Sequence, residues 1–234
     1  NHNWFFHGNG DPSKVIDIPL GANDDFPQNP MQIRRTIPMN GKEIVDGQPA
    51  PVFANTETHW WDGSQIYGSG KEKQNEVRTF KDGKVKVQDD GRLPKSVTTQ
   101  GIDLTGFEEN YWAGVGILHT LFAREHNAVC DALKKAYPSF NDQRLYQTAV
   151  LVVSALIAKI HTVEWTTCVL RHPALQIGMN ANWYGALGET FKDKIGRVGD
   201  SEALSGIVGS SLDHHTAPFS LTEEFVTVYR LHPL

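Results

Sequence analysis

Tyr229 and His232 lie three residues apart, and their side chains could do chemistry together. Ser220 and Glu223 form a capping-box pair, which predicts that a helix starts directly after Ser220. The residues that follow at steps of three and four are Phe225, Val228, Tyr229 and His232. This spacing places them on one helix face. A phenol and an imidazole on an apolar face suit a haem protein, with the histidine as axial iron ligand and the tyrosine as radical relay. The alternative is an ordinary helix whose polar tips find hydrogen bonds.

Two further histidines lie in settings that suit a ligand. His7 follows three aromatic residues, so a neutral imidazole there could face a cofactor, although a hydrogen-bonded core histidine is also typical of this position. His161 and Thr166 are five residues apart near the end of a predicted long helix. They could border one pocket and offer two donors to a ligand carboxylate. Alternatively, the histidine is buried and the threonine bonds back to the helix carbonyls.

A short segment before residue 65 offers oxygen atoms at alternate positions. Its members are the Thr58 hydroxyl, the Trp60 carbonyl, the Asp62 carboxylate and the Ser64 hydroxyl. Calcium prefers six to eight oxygen ligands, so these groups predict a calcium loop. The alternative is an ordinary turn rich in Thr, Asp and Ser.

The composition excludes several classes of protein. The formal net charge is −5 and the pI is near 6.1, and no Lys/Arg block offsets this, so nucleic-acid binding is not expected. The longest apolar run, 149–160, is interrupted by Ser154 and Lys159. We therefore expect no transmembrane segment, while peripheral membrane contact stays open. No secretion signal is apparent, which favours an intracellular location.

Cysteine spacing also argues against a metal or disulfide framework. Cys130 and Cys168 both fall in helical patterns and are interpreted as small core residues. Neither belongs to a C-x-x-C pattern, so a zinc–cysteine site is excluded.

The chain is predicted to be mainly α-helical, with long loops and a small β-hairpin. Residues 8–57 are dense in Gly, Pro, Asn and Asp and predict a surface wrap. Asp82-Gly83 predicts a two-residue hairpin turn. An apolar stripe that includes Leu118 and Leu121 predicts a helix from about 110 to 137, and a capping box at Ser139 predicts a second from about 141 to 170. Short helical pieces follow to 219.

Arg124, Glu125, His126 and Asn127 form a polar cluster inside the first long helix. They could be a buried network behind a site. More simply, Arg124 and Glu125 are solvated while His126 and Asn127 bond elsewhere. No catalytic role is predicted for them.

Several segments together resemble the peroxidase–cyclooxygenase haem superfamily, and within it the fatty acid α-dioxygenases. They are HNWFFH at 2–7, THWWDGSQIYGS at 58–69, VRTFKDGK at 77–84, WAGV at 112–115, REHNAVCD at 124–131, AKIHTVEWT at 158–166, ANWYG at 181–185 and SLTEEFVTVYRLH at 220–232. The resemblance implies a helical haem peroxidase catalytic domain, of which 1–234 is part. Both chain ends fall inside predicted elements, so we expect a piece of a longer protein.

The resemblance also implies roles for the candidate residues. His7 is then the distal histidine, His232 the proximal ligand of haem b and Tyr229 the radical tyrosine. His161 and Thr166 match positions that hold the substrate carboxylate. Thr58, Trp60, Asp62 and Ser64 match a calcium loop.

Some family features are missing from this sequence. Gly8 stands where the family's peroxidases have a calcium-binding aspartate, so the fifth calcium ligand is unassigned. The carboxylate-binding arginine of the α-dioxygenases lies downstream of this chain. No arginine occurs at 107–111, where peroxidases have one, which makes fast peroxide turnover unexpected. Glu108 and Glu109 keep a covalent haem tether open.

The activity implied is oxygenation of a long-chain fatty acid at its α-carbon through a tyrosyl radical, giving a 2-hydroperoxy acid. Its partners are then the fatty acid, molecular oxygen and an activating hydroperoxide. The alternatives are a haem enzyme that attacks a mid-chain carbon, a plain peroxidase, or a non-catalytic haem- or calcium-binding fragment.

Overall fold

A computed structural model of the chain describes residues 10–24, 29–36, 38–53, 60–97, 101–108 and 113–211. The strands are β1 (Gly10–Ile18), β2 (Met31–Thr36), β3 (Pro38–Val45) and β4 (Gln48–Phe53). The helices are α1 (Ser64–Tyr67), α2 (Lys71–Val77), α3 (Ala113–Ala136), α4 (Asp142–Lys159), α5 (Thr166–Val169), α6 (Pro173–Tyr184), α7 (Glu189–Ile195) and α8 (Glu202–Ser205). A π-helical turn, Ile160–Trp165, joins α4 to α5. The mainly helical class predicted from sequence is confirmed.

The chain divides into two compact units. The first comprises 1–58 and 63–150, and the second comprises 59–62 and 151–234. The core of the first unit includes the buried side chains of Tyr67, Val77, Leu93, Cys130 and Leu145. In the second unit Tyr184 is buried.

Much of the predicted surface wrap is instead two antiparallel hairpins. β1 pairs with β2, and β3 pairs with β4. Asp46 and Gly47 connect β3 to β4 with φ values of 52° and 75°, and Val45 pairs with Gln48. These positive φ angles are those of a two-residue hairpin turn, which Asp-Gly favours. The irregular structure expected here was therefore wrong for the described strands.

The predicted turn at Asp82-Gly83 is present, but its arms are shorter than a hairpin's. φ is 58° at Asp82 and 74° at Gly83, and the Lys84 amide donates to the Lys81 carbonyl at 3.1 Å. The arms share one isolated bridge, between Arg78 and Val85. The turn was predicted correctly, whereas regular strands do not form around it.

α3 covers the predicted range, but a different face is buried. The buried residues are Gly116, His119, Ala123, His126 and Cys130, which recur at steps of three and four. Leu118 and Leu121 of the predicted stripe are exposed. The helix has two faces that could pack, and the face with Gly116, Ala123 and Cys130 is the one buried in the first unit's core.

The second long helix also forms as predicted, with a different cap. The Asn141 side chain accepts a hydrogen bond from the Arg144 amide at 2.9 Å, so Asn141, and not Ser139, is the N-cap. The helix is continuous from Asp142 to Val169 through the π-helical turn.

This 28-residue helix is long and apolar enough to cross a membrane by length and composition, which the interrupted run in the sequence did not predict. Such a finding is weak evidence, because core helices of soluble proteins pass the same test. Leu145, Ala149 and Val153 of the helix are buried, while Leu151 and Val152 are exposed.

Close backbone contacts and the Lys192 side chain help to stabilise the second unit. A Cβ atom at Gly185 would lie 2.0 Å from the Leu204 carbonyl oxygen, so the two backbones approach as only glycine allows. The Lys192 ammonium donates to the carbonyls of Trp183, Ser205 and Val208. Cys168 is exposed in this unit and Cys130 is buried in the first, so the prediction of two core cysteines was wrong for Cys168.

Candidate functional site

The structure describes part of the predicted site. His161 and Thr166 are described, as are Trp60, Asp62 and Ser64. The predicted haem ligands and radical residue, His7, His232 and Tyr229, lie outside the described residues, and so does Thr58. Their roles remain predictions.

The π-helical turn brings His161 and Thr166 together. A π-helix pairs residues five apart, whereas an α-helix would turn residues five apart onto different faces. The Thr166 amide donates to the His161 carbonyl, and the Thr166 hydroxyl donates to the same oxygen at 2.6 Å. One residue therefore closes the turn with two hydrogen bonds. Such turns inside α-helices are frequent at functional sites.

The two candidates differ in what they can offer a ligand. The Thr166 hydroxyl uses its only proton within the helix, as the alternative interpretation of this residue predicted. It can donate to a carboxylate only after rotating. The His161 side chain is exposed, and none of its ring nitrogens is hydrogen-bonded within the described part of the chain. His161 is accordingly the stronger candidate for an anion.

Two tryptophans that the sequence did not assign to the site contact His161. The ring centroid of Trp61 lies 5.0 Å from that of the imidazole, with the planes at 58°. The Trp165 ring lies at 5.5 Å and is nearly parallel, at 18°. Trp165 is four residues beyond His161, a spacing from which a contact could have been predicted.

The proposed calcium loop is only partly described. Asp62 is exposed, and Gly63 has φ of 67° just before α1. Ser64 is buried at the first position of α1. Among the residues that the structure describes, no three His, Cys, Asp or Glu side chains are grouped to hold a metal ion. The calcium loop predicted from the sequence combines hydroxyl, carbonyl and Asp62 carboxylate oxygens, and it stays a prediction.

The polar cluster of α3 has a structural role in the first unit. His126 Nε2 lies 2.9 Å from the Gly83 carbonyl, which can only accept, so this nitrogen carries the proton. Nδ1 then accepts from the Tyr67 hydroxyl at 3.0 Å. Burial lowers the pKa of His126 and raises the pKa of Tyr67, so both groups are neutral.

The remaining members of that cluster follow the simpler alternative. Arg124 and Glu125 are exposed. The Asn127 amide group accepts from the Val85 amide and donates to the Val85 carbonyl. These bonds fasten α3 to the turn at Asp82-Gly83.

Glu108, one candidate for a covalent haem tether, is buried beside a cation. Its Oε1 lies 2.7 Å from Lys73 Nζ, and the carboxylate side chain is 3 % exposed. A buried carboxylate needs such a partner, so this pair gives Glu108 a structural explanation. Glu109 lies outside the described residues.

Residues 6–234 match the animal haem peroxidase family, and the chain belongs to that family. Membership implies a haem group. The chain is also similar to α-dioxygenases. Alpha-dioxygenase 1 of Capsicum annuum is 51% identical over 236 residues, which are 100% of this chain and 36% of that protein. Alpha-dioxygenase PIOX of Pisum sativum is 46% identical, with the same coverage.

A solved structure of the same kind matches the fold. The crystal structure of a variant of Oryza sativa fatty acid α-dioxygenase with palmitic acid has a TM-score of 0.75 and 40% identity. The match covers 100% of this chain and 37% of that one. The haem peroxidase fold expected from the sequence is thereby confirmed. The chain spans about 36% of the length of these curated relatives.

Proposed function

We propose that the protein containing this chain oxygenates a long-chain fatty acid at its α-carbon, giving a 2-hydroperoxy acid. The observation that carries the proposal is similarity along the whole chain to α-dioxygenases, at 46% and 51% identity. The rice relative was crystallised with palmitic acid, which suggests a saturated fatty acid as substrate.

The proposed chemistry assigns each step to a residue of this chain. The haem, when bound, would supply oxidising power, and Tyr229 would be the residue that is oxidised to a tyrosyl radical. His232 would hold the haem iron through its imidazole, and His7 would move a proton between the two oxygens of the activating hydroperoxide. The Tyr229 radical takes a hydrogen atom from the α-carbon, and molecular oxygen adds to the carbon radical. The peroxyl group then takes a hydrogen atom back from Tyr229, so the radical is regenerated.

Attack at the α-carbon requires that the carboxylate be held close to Tyr229. We assign this task to His161, whose exposed imidazole can donate a hydrogen bond to a carboxylate, and to Thr166 after its hydroxyl rotates. A charge-assisted bond of this kind contributes about 1.5–3 kcal/mol. Replacing His161 with alanine should therefore raise KM by roughly tenfold to a hundredfold.

We further propose calcium as a structural ion of the loop at 58–64. The ligands are the oxygens of Thr58, Trp60, Asp62 and Ser64, a donor set suited to a hard cation. Chelation of calcium from the full-length protein should lower its thermal unfolding midpoint, and added calcium should restore it. An Asp62→Asn variant whose midpoint still responds to chelation in the same way would argue against this site.

Oxygen uptake by the full-length, haem-reconstituted protein tests the proposed reaction. Palmitate has no activated mid-chain hydrogens, so uptake with palmitate is expected and indicates attack beside the carboxyl group. Oxygen uptake with linoleate but not with palmitate would favour the mid-chain oxygenase. No oxygen uptake with either fatty acid would favour a peroxidase or a binding protein.

Two variants test the assigned residues. Tyr229→Phe should abolish oxygen uptake while the haem absorption band is kept. Tyr137→Phe is the matched control, because Tyr137 is exposed and stacks on Phe140 at 4.8 Å. His232→Ala should lose haem, and a normal haem content in that variant would refute its role as ligand.

A further inference from the structure

The imidazole of His161 is in contact with two indoles that come from different parts of the chain. Trp165 follows His161 within the π-helical turn, and its ring is 5.5 Å away and nearly parallel. Trp61 comes from the segment before α1, and its ring is 5.0 Å away and tilted. We call Trp61 and Trp165 the indole pair. Contacts from two segments restrict the rotation of a ring more than a neighbour on the same helix does.

The π-helical turn is what sets the position of His161 relative to the pair. The Thr166 hydroxyl and amide both donate to the His161 carbonyl, which fixes the backbone of the histidine. The indole pair then fixes the side chain. Because the hydrogen-bonding atoms of an imidazole lie in the plane of its ring, the nearly parallel Trp165 ring leaves the His161 nitrogens available.

All three rings are exposed in this chain. Trp61 is 53% exposed and Trp165 is 52% exposed, and His161 is exposed as well. Neighbouring exposed aromatic groups around a polar group are typical of a binding surface, since they combine an apolar body with a specific donor.

We propose that Trp61 and Trp165 are positioning residues, which hold the His161 imidazole in the orientation in which it donates a hydrogen bond to the fatty acid carboxylate. The inference rests on the proposed function of His161. A ring that is already held in place loses less conformational freedom when the ligand binds. An aromatic contact of this type contributes enough to change a dissociation constant by roughly twofold to tenfold.

The test is binding of palmitate to the full-length, haem-loaded protein without oxygen, so that no turnover is needed. Trp165→Ala and Trp61→Ala should each raise the Kd for palmitate by roughly twofold to tenfold. The Kd for hexadecanol, which lacks the carboxylate, should stay unchanged. Trp165→Phe should restore most of the affinity, because it keeps an aromatic face. Val169→Ala is the control, since it removes exposed apolar surface from α5.

Several results would overturn the proposal. An unchanged palmitate Kd in both alanine variants would do so, and an equal loss for palmitate and hexadecanol would mean that the indoles only line an apolar surface. In a His161→Ala background, Trp165→Ala should add no further loss of palmitate affinity; a full additional loss would show that it acts independently of His161. Under oxygen, the alanine variants should raise KM and leave kcat nearly unchanged.

Binding and oxygen uptake together distinguish a failure of the positioning role from a failure of the proposed reaction. If the unaltered protein takes up no oxygen with palmitate, but the variants lose palmitate affinity selectively, the proposed reaction fails and the positioning role stands. If the unaltered protein oxygenates palmitate while the variants bind it normally, the positioning role fails alone.

Discussion

Removing Asp142 should destabilise the turn at Asp82-Gly83 more than removing its partner Arg78 does. Asp142 Oδ2 lies 2.7 Å from Arg78 Nη2, and Asp142 Oδ1 accepts from the Gly83 amide at 2.7 Å. The Arg78 side chain is 7% exposed, whereas that of Asp142 is 30% exposed. Arg78 therefore depends more on the ion pair than Asp142 does, because water can solvate the Asp142 carboxylate but hardly reaches the guanidinium.

The magnitudes follow from what each substitution leaves behind. Asp142→Ala leaves a buried guanidinium without its carboxylate, although the Gln143 amide oxygen still accepts from it at 2.7 Å, and the cost should be about 3 kcal/mol. Arg78→Met leaves a partly solvated carboxylate in the first turn of a helix, where a negative charge is favourable, and the cost should be about 1–2 kcal/mol. Asp142→Asn keeps an acceptor for Gly83 without the charge.

Hydrogen exchange of the peptide that spans 79–87 measures the effect locally. With about 1.4 kcal/mol for each factor of ten, Asp142→Ala should speed exchange of the Gly83 amide by roughly a hundredfold. Arg78→Met should speed it by about tenfold, and Asp142→Asn should fall between them. Exchange that is faster in Arg78→Met than in Asp142→Ala would refute the argument from burial.

Three further predictions concern stability. Burial lowers the pKa of His119 to about 4, although the charge of Asp103 acts in the opposite direction. Between about pH 6.5 and 4, His119 therefore binds a proton in the unfolded chain but not in the folded protein. Stability should therefore fall by up to about 3 kcal/mol between pH 6.5 and 4, and His119→Gln should flatten this dependence of the unfolding midpoint. Gly83→Ala should cost about 2 kcal/mol more than Gly47→Ala in denaturant unfolding, because both have φ near +75° but only at Gly83 would a Cβ lie 2.6 Å from Leu145 of α4. Equal costs would contradict the packing argument. Lys192→Met should lower stability by about 2 kcal/mol through the loss of its carbonyl contacts, whereas Lys194→Met, at an exposed position of the same helix, should not.

Helix periodicity and turn chemistry in the sequence were sufficient for much of the fold. α3 and the 142–169 helix begin and end within a few residues of their predicted limits. Asp82-Gly83 forms the turn that this pair favours, because glycine and aspartate tolerate positive φ. Asp46-Gly47 carries the same signal, but the surrounding Gly, Pro and Asn residues obscured the hairpins.

Other features depend on contacts that a single sequence does not specify. α3 has two faces that could pack, and tertiary context selects the one with Gly116 and Ala123. The sequence predicted Ser139 as the N-cap of α4, whereas Asn141 is the N-cap in the structure. Both residue types can accept the capping hydrogen bond, so the sequence does not distinguish them.

The sequence indicated His161 and Thr166 as candidate residues, but it did not indicate the local geometry that the structure gives them. His161 and Thr166 are five residues apart, a spacing that an α-helix would place on different faces. The π-helical turn explains why the Thr166 hydroxyl reaches the His161 carbonyl. The contact of Trp61 with His161 joins segments about a hundred residues apart in the chain, so no local pattern could indicate it.

The position of hydrogen abstraction is the central claim, and labelled palmitate tests it most directly. The full-length, haem-loaded protein would be given palmitate with deuterium at both α-carbon positions, and the product would be analysed by mass spectrometry. The account predicts a 2-hydroperoxy acid that keeps one deuterium on carbon, formed more slowly than from unlabelled palmitate. A product that keeps both deuterium atoms and carries oxygen at another carbon would contradict it.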